Sequence, residues 1–254
     1  MDASSATAPP FLSVVIPTYR EEARIGPTLR KISAYLGQQP WSSEIVVSDD
    51  GSPDRTASAV LTAAESTPVP IRLLRLEVNR GKGYAVREGM LAAVGRLRLF
   101  SDADLSTPIE EMGVLIEVVR RRNADVVIGS RALPGALIAL HQPWYREGMG
   151  RIFNAFVRFV GLVDCPDTQC GFKLLTAEAA RAVLPRLTIE RFGFDVELIW
   201  IALSLGLRVW QVPIAWFDSP DSRVSPLRDG SAMLRDLVRI RINDWRGRYR
   251  YPPP

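Results

Sequence analysis

Ser101-Asp102-Ala103-Asp104-Leu105-Ser106-Thr107-Pro108 is the stretch around which the chain is organised. It follows residues 96–100, a predicted buried strand, and leads into a helical pattern that starts at Pro108. Asp102 and Asp104 therefore begin on the same side of the chain, where a strand ends. Two carboxylates so close are costly unless they share a cation, and oxygen ligands suit Mg²⁺ or Mn²⁺. An isolated Asp-x-Asp is also typical of a solvated turn or a helix cap, so the surrounding chain must decide.

Composition and charge are those of an ordinary globular protein. The 254 residues are 47% hydrophobic and 24% charged, which allows one large α/β domain or two small ones. The net charge of +4 favours phosphate-bearing partners, whether a nucleotide, a nucleic acid or an anionic lipid. Cys165 and Cys170 lack the CxxC pairs of a zinc site and are too few for a disulfide framework, which favours a reducing cytosolic setting.

The N-terminal segment, residues 1–10, has neither a basic nor an apolar region. It is predicted to be a disordered tail rather than a signal peptide. The longest apolar run, residues 152–163, is short and contains Arg158, so no transmembrane helix is expected.

Strands alternate with helices through the first half of the chain. Apolar, β-branched segments predict five strands, at residues 11–17, 44–48, 71–76, 96–100 and 124–129. Such alternation predicts a mostly parallel sheet with right-handed crossovers. In these sheets the ligand crevice lies at the carboxyl ends of the strands, where the polar loops are.

Two of these loops carry distinctive residues. Ser52 and Pro53 are predicted to cap and start the second helix. In Asn79-Arg80-Gly81-Lys82-Gly83 the two glycines would let backbone N–H groups and a lysine approach a diphosphate, although a plain glycine-rich turn is an equal alternative. This loop is not a Walker A motif, and a nicotinamide-type GxGxxG after the first strand is missing.

The alternation stops after Arg131. A helical pattern over 146–162 carries Arg146 and Arg151 near its start, where arginines are unfavourable unless an anion binds; an ordinary solvated basic face is the alternative. A polar turn then leads into a short strand near Phe172. The later part of the chain is predicted to form helices over 177–184 and from 191–198 onward, and a strand near 208–216.

The tail from Ser231 alternates arginines with apolar residues and ends in aromatic ones. A basic amphipathic helix of this kind can lie on an anionic membrane surface, or dock on the body with a basic outer face. His141 is the only histidine and has no assigned role, and the chain lacks a GxSxG motif, so a Ser-His-Asp hydrolase is not expected.

Five motifs, in order along the chain, resemble those of the family 2 glycosyltransferases of the GT-A fold: residues 14–21, 47–52, 79–83, 102–104 and 129–131. Residues 167–174 and 191–198 are similar to the dolichyl-phosphate β-glucosyltransferase branch of the polyprenyl-phosphate enzymes. The resemblance implies one Rossmann-like GT-A domain, with a mostly parallel central sheet and helices on both faces. We expect a tail over 1–10, this domain over 11–230, and the basic helix and tail over 231–254.

The resemblance also implies a nucleotide-sugar donor lying across the strand ends. Pro17, Tyr19 and Glu21 would line the nucleoside pocket, and Asp49 would accept a hydrogen bond from the base. A carboxylate suits both uracil and guanine, so Asp49 leaves UDP and GDP open. Arg223 would belong to a mobile lid.

The diphosphate side of the donor site is expected around the Asp-x-Asp. By the same resemblance, Lys82 would face the diphosphate, Asp102 and Ala103 would contact the donor, and Asp102 with Asp104 would hold the metal. Ser106 stands where related mannosyltransferases often carry Gln, which leaves a third protein ligand in doubt.

An acceptor phosphate explains the arginines. A lipid monophosphate, with a second pKa near about 6, needs no general base, but it must be bound and aimed. Arg131 with Arg146 or Arg151 would do this, and the resemblance adds Gln169. The leaving UDP would be stabilised by the metal and Lys82, and in-line displacement would invert an α-linked donor to a β-linked product.

The sequence thus predicts transfer of glucose from UDP-glucose to a polyprenyl phosphate, with Mg²⁺ or Mn²⁺. The alternatives are GDP-mannose as donor, a soluble acceptor, or a nucleotide-sugar-binding protein without catalysis. The enzyme is expected to be cytoplasmic and peripheral at the membrane face, and not to bind nucleic acid, because no recognised nucleic-acid-binding fold accompanies the arginines.

Overall fold

The computed structural model describes residues 8–140, 157–158, 163–217 and 226–250. Within these ranges the chain forms nine strands: β1 (Leu12–Thr18), β2 (Ser43–Asp49), β3 (Ile71–Arg75), β4 (Leu97–Ser101), β5 (Val126–Ser130), β6 (Leu137–Leu140), β7 (Phe172–Thr176), β8 (Val209–Pro213) and β9 (Ala215–Phe217). Seven of them form one sheet in the order β3-β2-β1-β4-β7-β5-β8. All neighbours pair in parallel except β7, which is antiparallel to both β4 and β5.

In the part of the chain that the structure describes, seven α-helices with defined ends connect or cover these strands: α1 (Ile25–Leu36), α2 (Thr56–Glu65), α3 (Lys82–Ala92), α4 (Met112–Arg122), α5 (Ala177–Val183), α6 (Phe194–Ser204) and α7 (Pro226–Trp245). Local sequence explains several of their ends. The Thr176 hydroxyl caps α5 by accepting the Ala179 N–H at 3.1 Å, and α4 stops at Asn123, whose φ of 51° is left-handed.

The sheet carries a hydrophobic core on each face. On one face, residues of α1, α2 and α4 such as Leu29, Val60 and Leu115 pack against the strands. On the other face, α3, α5, α6 and α7 contribute side chains such as Val86 and Leu237. The single domain with a mostly parallel sheet and helices on both faces is confirmed.

Two features go beyond the sequence prediction. The predicted short strand near Phe172 is β7. It lies between β4 and β5 in the sheet, although β4 and β5 follow one another along the chain. The single strand predicted near 208–216 is two strands. Of these, β8 extends the main sheet, whereas β9 pairs in parallel with β6 in a small second sheet.

The C-terminal helix is docked on the body. It begins at Pro226, so the predicted boundary between residues 230 and 231 falls inside α7. Its Met233, Leu237 and Ile240 are buried in the same core as α6. Within the described ranges, none of the helices combines the length and the apolar character needed to cross a bilayer.

Candidate active site

The candidate site lies at the carboxyl ends of β1, β2 and β4, beside the N-terminus of α3. In-register parallel pairing places Thr18 of β1 opposite Asp49 of β2. The loops that follow are tied together, because the Arg20 N–H donates to the Ser52 hydroxyl at 2.9 Å and the Asp50 N–H donates to the Thr18 carbonyl at 2.9 Å. The strand ends thus form one connected edge, as parallel α/β sheets require for a ligand crevice.

Lys82 and Asp102 meet at the centre of this edge. The Lys82 Nζ lies 2.7 Å from Asp102 Oδ1, and both side chains are partly exposed. Burial alone favours the neutral lysine, yet Asp102, Asp195 and Asp104 together raise the pKa of Lys82 and keep it charged. Burial raises the pKa of Asp102, with Asp104 acting in the same direction and Lys82 opposing it. A fixed cation and a carboxylate therefore share the predicted diphosphate position.

Asp104 and Ala103 are positioned by the turn after β4. The Ser106 N–H donates to Asp104 Oδ1 at 3.0 Å, and the Ala103 carbonyl accepts from the Thr28 hydroxyl at 2.8 Å. Leu105 adopts a φ of 50°, a left-handed conformation that reverses the chain directly after the Asp-x-Asp. This reversal holds both carboxylates at the sheet edge.

Asp102 rests against the segment that enters β7. Its N–H donates to the Gly171 carbonyl at 3.2 Å, and a Cβ on Gly171 would lie 2.0 Å from Asp102 Oδ2. Only glycine therefore leaves room for this carboxylate. Lys173 and Asp195 form a buried pair in the next layer, where Lys173 Nζ also donates to the Cys170 carbonyl at 2.6 Å.

Asp49, the predicted base-binding residue, is fully buried at the end of β2. Its Oδ1 accepts from the Ser52 hydroxyl. Its Oδ2 has no hydrogen-bond partner among the residues that the structure describes. A buried carboxylate oxygen without a donor is costly, and a ligand N–H would remove that cost. Ser52 thus orients Asp49 and does not cap α2, which starts at Thr56 rather than at Pro53.

The end of β1 and the loop after it carry the other three predicted nucleoside contacts. Glu21 is buried, and its Oε1 accepts a hydrogen bond from Arg24 Nη2 at 2.9 Å. Its N–H donates to the Thr56 hydroxyl at 2.8 Å. Pro17, in β1 opposite Ser48, and Tyr19, in the loop, are both half-buried. These residues line the edge beside Asp49.

The Asn79–Gly83 loop is built differently from the sequence prediction. Two of its backbone N–H groups, those of Arg80 and Gly81, donate to the Asp50 carboxylate at 3.0 and 2.7 Å and so are already occupied. The glycines serve close packing, since a Cβ on Gly81 would lie 2.6 Å from the Glu190 carbonyl and one on Gly83 2.7 Å from that of Ile189. The Lys82 side chain of this loop reaches Asp102 at the site.

Arg131 follows β5 and is held by Asp167. The nearly buried Asp167 accepts from the Arg131 N–H at 2.9 Å, from Nε at 2.7 Å and from Nη2 at 2.8 Å. Burial works against the charged carboxylate, but Arg131 lowers the pKa of Asp167 below its usual range. The guanidinium also lies 5.4 Å from the centre of the Trp216 ring. Arg131 is therefore a fixed cation with a defined orientation.

The remaining predicted acceptor residues are placed only in part. The Gln169 amide lies against α7, with Nε2 3.8 Å from the Met233 sulfur. Arg146, Arg151 and Arg223 lie outside the described residues, as does His141.

The carboxylates fit a divalent cation of the Mg²⁺ or Mn²⁺ type. No cluster of three or more acidic, histidine or cysteine side chains suited to a metal occurs in the part of the chain that the structure describes. Mg²⁺ commonly binds one or two carboxylates plus substrate phosphates. Asp102 already sits beside a cation, Lys82, in a cradle that a Cβ on Gly171 would fill. Asp102 and Asp104 are thus the residues that would hold it.

Sequence reasoning assigned no role to four residues that support the site: Asp50, Gly171, Lys173 and Asp195. Each lies in a motif noted above. Two signals in the sequence could have pointed to them. Asp49 and Asp50 are consecutive carboxylates, and Lys173 is the one lysine of a predicted buried strand, where a charge requires a partner.

Comparison with solved structures identifies the class of fold. The chain aligns with the crystal structure of glucosyl-3-phosphoglycerate synthase from Mycobacterium tuberculosis bound to Mn²⁺, UDP and glucosyl-3-phosphoglycerate, with a TM-score of 0.67. The alignment covers 96% of this chain and 81% of that one at 21% identity. At this identity the likeness shows the fold alone, which is the GT-A fold of glycosyltransferases.

The chain belongs to glycosyl transferase family 2, whose model matches residues 13–183. It is 35% identical to a dolichyl-phosphate β-glucosyltransferase from Dictyostelium discoideum, over 91% of this chain and 74% of that protein. The enzymes of the same name from Saccharomyces cerevisiae and Homo sapiens are 33% and 30% identical, each over 94% of this chain and 77% of their own length. The chain is a glycosyltransferase, as its motifs predicted.

Proposed function

We propose that the chain transfers glucose from UDP-glucose to a polyprenyl phosphate of the dolichyl type, with inversion, giving a β-linked lipid-phosphate sugar. The observation that carries the choice of sugar and acceptor is the similarity to enzymes named dolichyl-phosphate β-glucosyltransferase over at least 91% of this chain. The structure adds donor-site and acceptor-site groups of suitable chemistry.

The donor side is supported by the groups at the edge formed by β1, β2 and β4. Asp49 Oδ2, a buried acceptor without a donor among the described side chains, suits the N3–H of uracil. Lys82 is positioned to neutralise a diphosphate, because neighbouring carboxylates keep it protonated. A divalent cation held by Asp102 and Asp104 would supply further positive charge for the departing UDP.

The acceptor side is supported by the orientation of Arg131. A guanidinium presents more N–H donors than Asp167 accepts, and within the described residues no other acceptor takes the remaining ones, which suits a phosphate. A phosphate monoester is already largely ionised at neutral pH, so the chain needs to aim its oxygen at the sugar rather than remove a proton. Asp167 supplies that aim by fixing the plane of the guanidinium.

A lipid acceptor also brings the enzyme to a membrane. The proposed place of action is the cytoplasmic face, with peripheral attachment. Cys165 and Cys170 are both unpaired thiols, as is usual in a reducing compartment.

The test is turnover by purified protein with Mn²⁺, offered radiolabelled UDP-glucose or GDP-mannose together with polyprenyl phosphate in detergent. Label from UDP-glucose alone that is extracted into organic solvent supports the proposal. Organic-phase label from GDP-mannose alone changes the donor. Label released only as free, aqueous sugar argues for a soluble acceptor.

A further inference from the structure

Helix α7 has two separate apolar faces. The first consists of Met233, Leu237 and Ile240, which are buried in the core. The second consists of Leu234, Val238, Ile242 and Trp245, whose exposed fractions range from 41% to 94%. We call these four residues the outer stripe. At 100° per residue they lie within about 80° of one another around the helix axis, so they form a continuous row.

The charges around the outer stripe are of one sign. From Ala232 to Arg246, every exposed residue is either apolar or arginine: Leu234, Arg235, Val238, Arg239, Arg241, Ile242, Trp245 and Arg246. The two acidic residues of this stretch, Asp236 and Asp244, are half-buried and lie toward the inner side, where Asp244 Oδ2 is 3.9 Å from Arg241 Nη1. Helical spacing places Arg239 and Arg246 along one border of the stripe and Arg241 along the other.

This pattern matches an anionic bilayer surface better than a protein groove. An interfacial helix buries an apolar row at the boundary between headgroups and acyl chains, while arginines on its borders reach the lipid phosphates. A tryptophan at the end of such a row suits the same boundary, because its ring is apolar and its N–H is polar. A purely apolar groove would not need arginines on both sides.

We propose that the outer stripe of α7 lies in the surface of an anionic membrane, parallel to its plane. The inner face of the same helix stays docked on the body, so binding holds the domain against the bilayer. Gln169, a predicted acceptor residue, contacts Met233 on that inner face. With the helix lying in this orientation, Gln169 would be about one helix diameter, roughly 10 Å, from the membrane surface.

Membrane binding by α7 rests on the proposed function, because a lipid acceptor lies in a membrane. Vesicle binding requires neither donor nor acceptor, so it tests the outer stripe separately from the proposed reaction. The experiment is co-sedimentation of the full chain with phosphatidylcholine vesicles, with and without phosphatidylserine. The variant Val238→Gln/Ile242→Gln/Trp245→Gln replaces three apolar residues of the row by glutamine, which keeps a high helix propensity. We expect its partition to anionic vesicles to fall at least about tenfold. The variant Arg239→Gln/Arg246→Gln should lose about fivefold per arginine on anionic vesicles and little on neutral ones.

A matched control removes three exposed apolar residues elsewhere, Leu61→Gln/Leu91→Gln/Val114→Gln on α2, α3 and α4, and should bind vesicles like the wild type. Thermal unfolding of each variant verifies that the fold is kept. Equal vesicle binding by the stripe variant and the wild type would overturn the proposal, as would a wild type that binds neither vesicle. A solution dimer that the stripe variant loses, without vesicle binding, would assign the stripe to a second copy of the chain.

Discussion

Asp104 is the residue on which the proposed metal dependence can be tested most directly. It contributes a carboxylate beside Asp102 while taking part in only local backbone contact, through the Ser106 N–H. We expect Asp104→Ala to lower Mn²⁺-dependent kcat by at least about a hundredfold, because developing charge on the leaving diphosphate loses its counter-charge. The measurement is initial rate against Mn²⁺ concentration.

The exposed carboxylate Asp164 provides the matched control, and Asp164→Ala should leave the rate unchanged. If Asp104→Ala keeps the wild-type rate and Mn²⁺ dependence, the assignment of Asp104 to the metal is wrong.

Arg131 separates the donor site from the acceptor site. Replacement by Ala would leave Asp167 buried and unpaired, which alone costs about 3–5 kcal/mol of folding free energy. Arg131→Lys keeps a charge and removes the planar fork. We expect it to raise the acceptor KM or lower kcat about tenfold or more while the Kd for UDP stays nearly constant.

The Kd for UDP can be measured by calorimetry on Arg131→Lys, with Arg120→Lys, on a solvated helix end, as the control. A weakened UDP affinity with an unchanged acceptor KM would place Arg131 in the donor site instead.

At the residue scale, the sequence was informative wherever chemistry follows a strand end. Asp102, Asp104, Asp49 and Lys82 all lie at the expected edge because the end of a strand can be read from apolar runs. The partners of these residues could not be predicted in the same way. Asp167 pairs with Arg131 across 36 residues of chain, and that contact depends on where β7 enters the sheet.

Among the elements, the segment that enters β7 lies against the end of β4 and positions the proposed metal ligand Asp102. Because a Cβ at residue 171 would overlap Asp102 Oδ2, we expect Gly171→Ala to displace this carboxylate. Activity and Mn²⁺ affinity should each fall at least about tenfold, since support residues of metal ligands have effects of this size.

Gly113→Ala on α4 is the control, because a Cβ there meets nothing within 4 Å. A Gly171→Ala enzyme with wild-type Mn²⁺ affinity would show that Asp102 tolerates the shift and is not a tightly positioned ligand.

The segment after α7 is tied to the body at Tyr249, whose carbonyl accepts from Arg186 Nε at 2.8 Å and whose hydroxyl makes a buried hydrogen bond. The Tyr249 hydroxyl donates to Glu197 Oε1 at 2.8 Å. Burial, and to a lesser extent the charge of Glu197, raises the pKa of Tyr249, so the hydroxyl stays protonated and remains a donor. We expect Tyr249→Phe to lower the free energy of unfolding by about 1–3 kcal/mol, measured by chemical denaturation.

Tyr35→Phe, on α1 at the other face of the sheet, is the control and should change the free energy of unfolding by less. Equal unfolding midpoints for Tyr249→Phe and the wild type would mean that the hydrogen bond to Glu197 contributes nothing to stability.

At the element scale, the sequence predicted the existence of strands better than their direction. Periodicity identifies an apolar segment, but pairing direction is set by the path of the connecting chain. The antiparallel placement of β7 between β4 and β5 follows from a long connection after β5. The pairing of β6 with β9 depends on where that connection and the chain after β8 meet.

At the scale of the whole molecule, the reactivity of the two cysteine thiols reports whether the native packing is intact. Cys165 and Cys170 are buried, and burial raises their pKa values to about 11 and about 12. Both effects suppress the reactive thiolate, so neither should react with a disulfide reagent at pH 8 while the protein is folded. Labelling should begin only on unfolding, and should then reach both thiols.

The measurement is the absorbance of the coloured thiolate that the reagent releases when a protein thiol reacts, compared with and without guanidinium chloride. Rapid labelling of either thiol in the native protein would contradict the tight packing seen around β7 and its entry segment.

The position of β7 also determines the order in which the sheet can be assembled during synthesis. Strands β1 to β4 pair with one another in parallel, so β1, β2 and β3 have all their sheet neighbours once residue 101 has emerged, and β4 lacks only β7. Strand β5 has none of its neighbours at that stage, because it pairs only with β7 and β8. At about 5–20 residues per second, it waits on the order of seconds for Phe172–Thr176. The β1–β4 part of the sheet, which carries the proposed donor site, can therefore form first, and β7 then joins β5 and β8 to it.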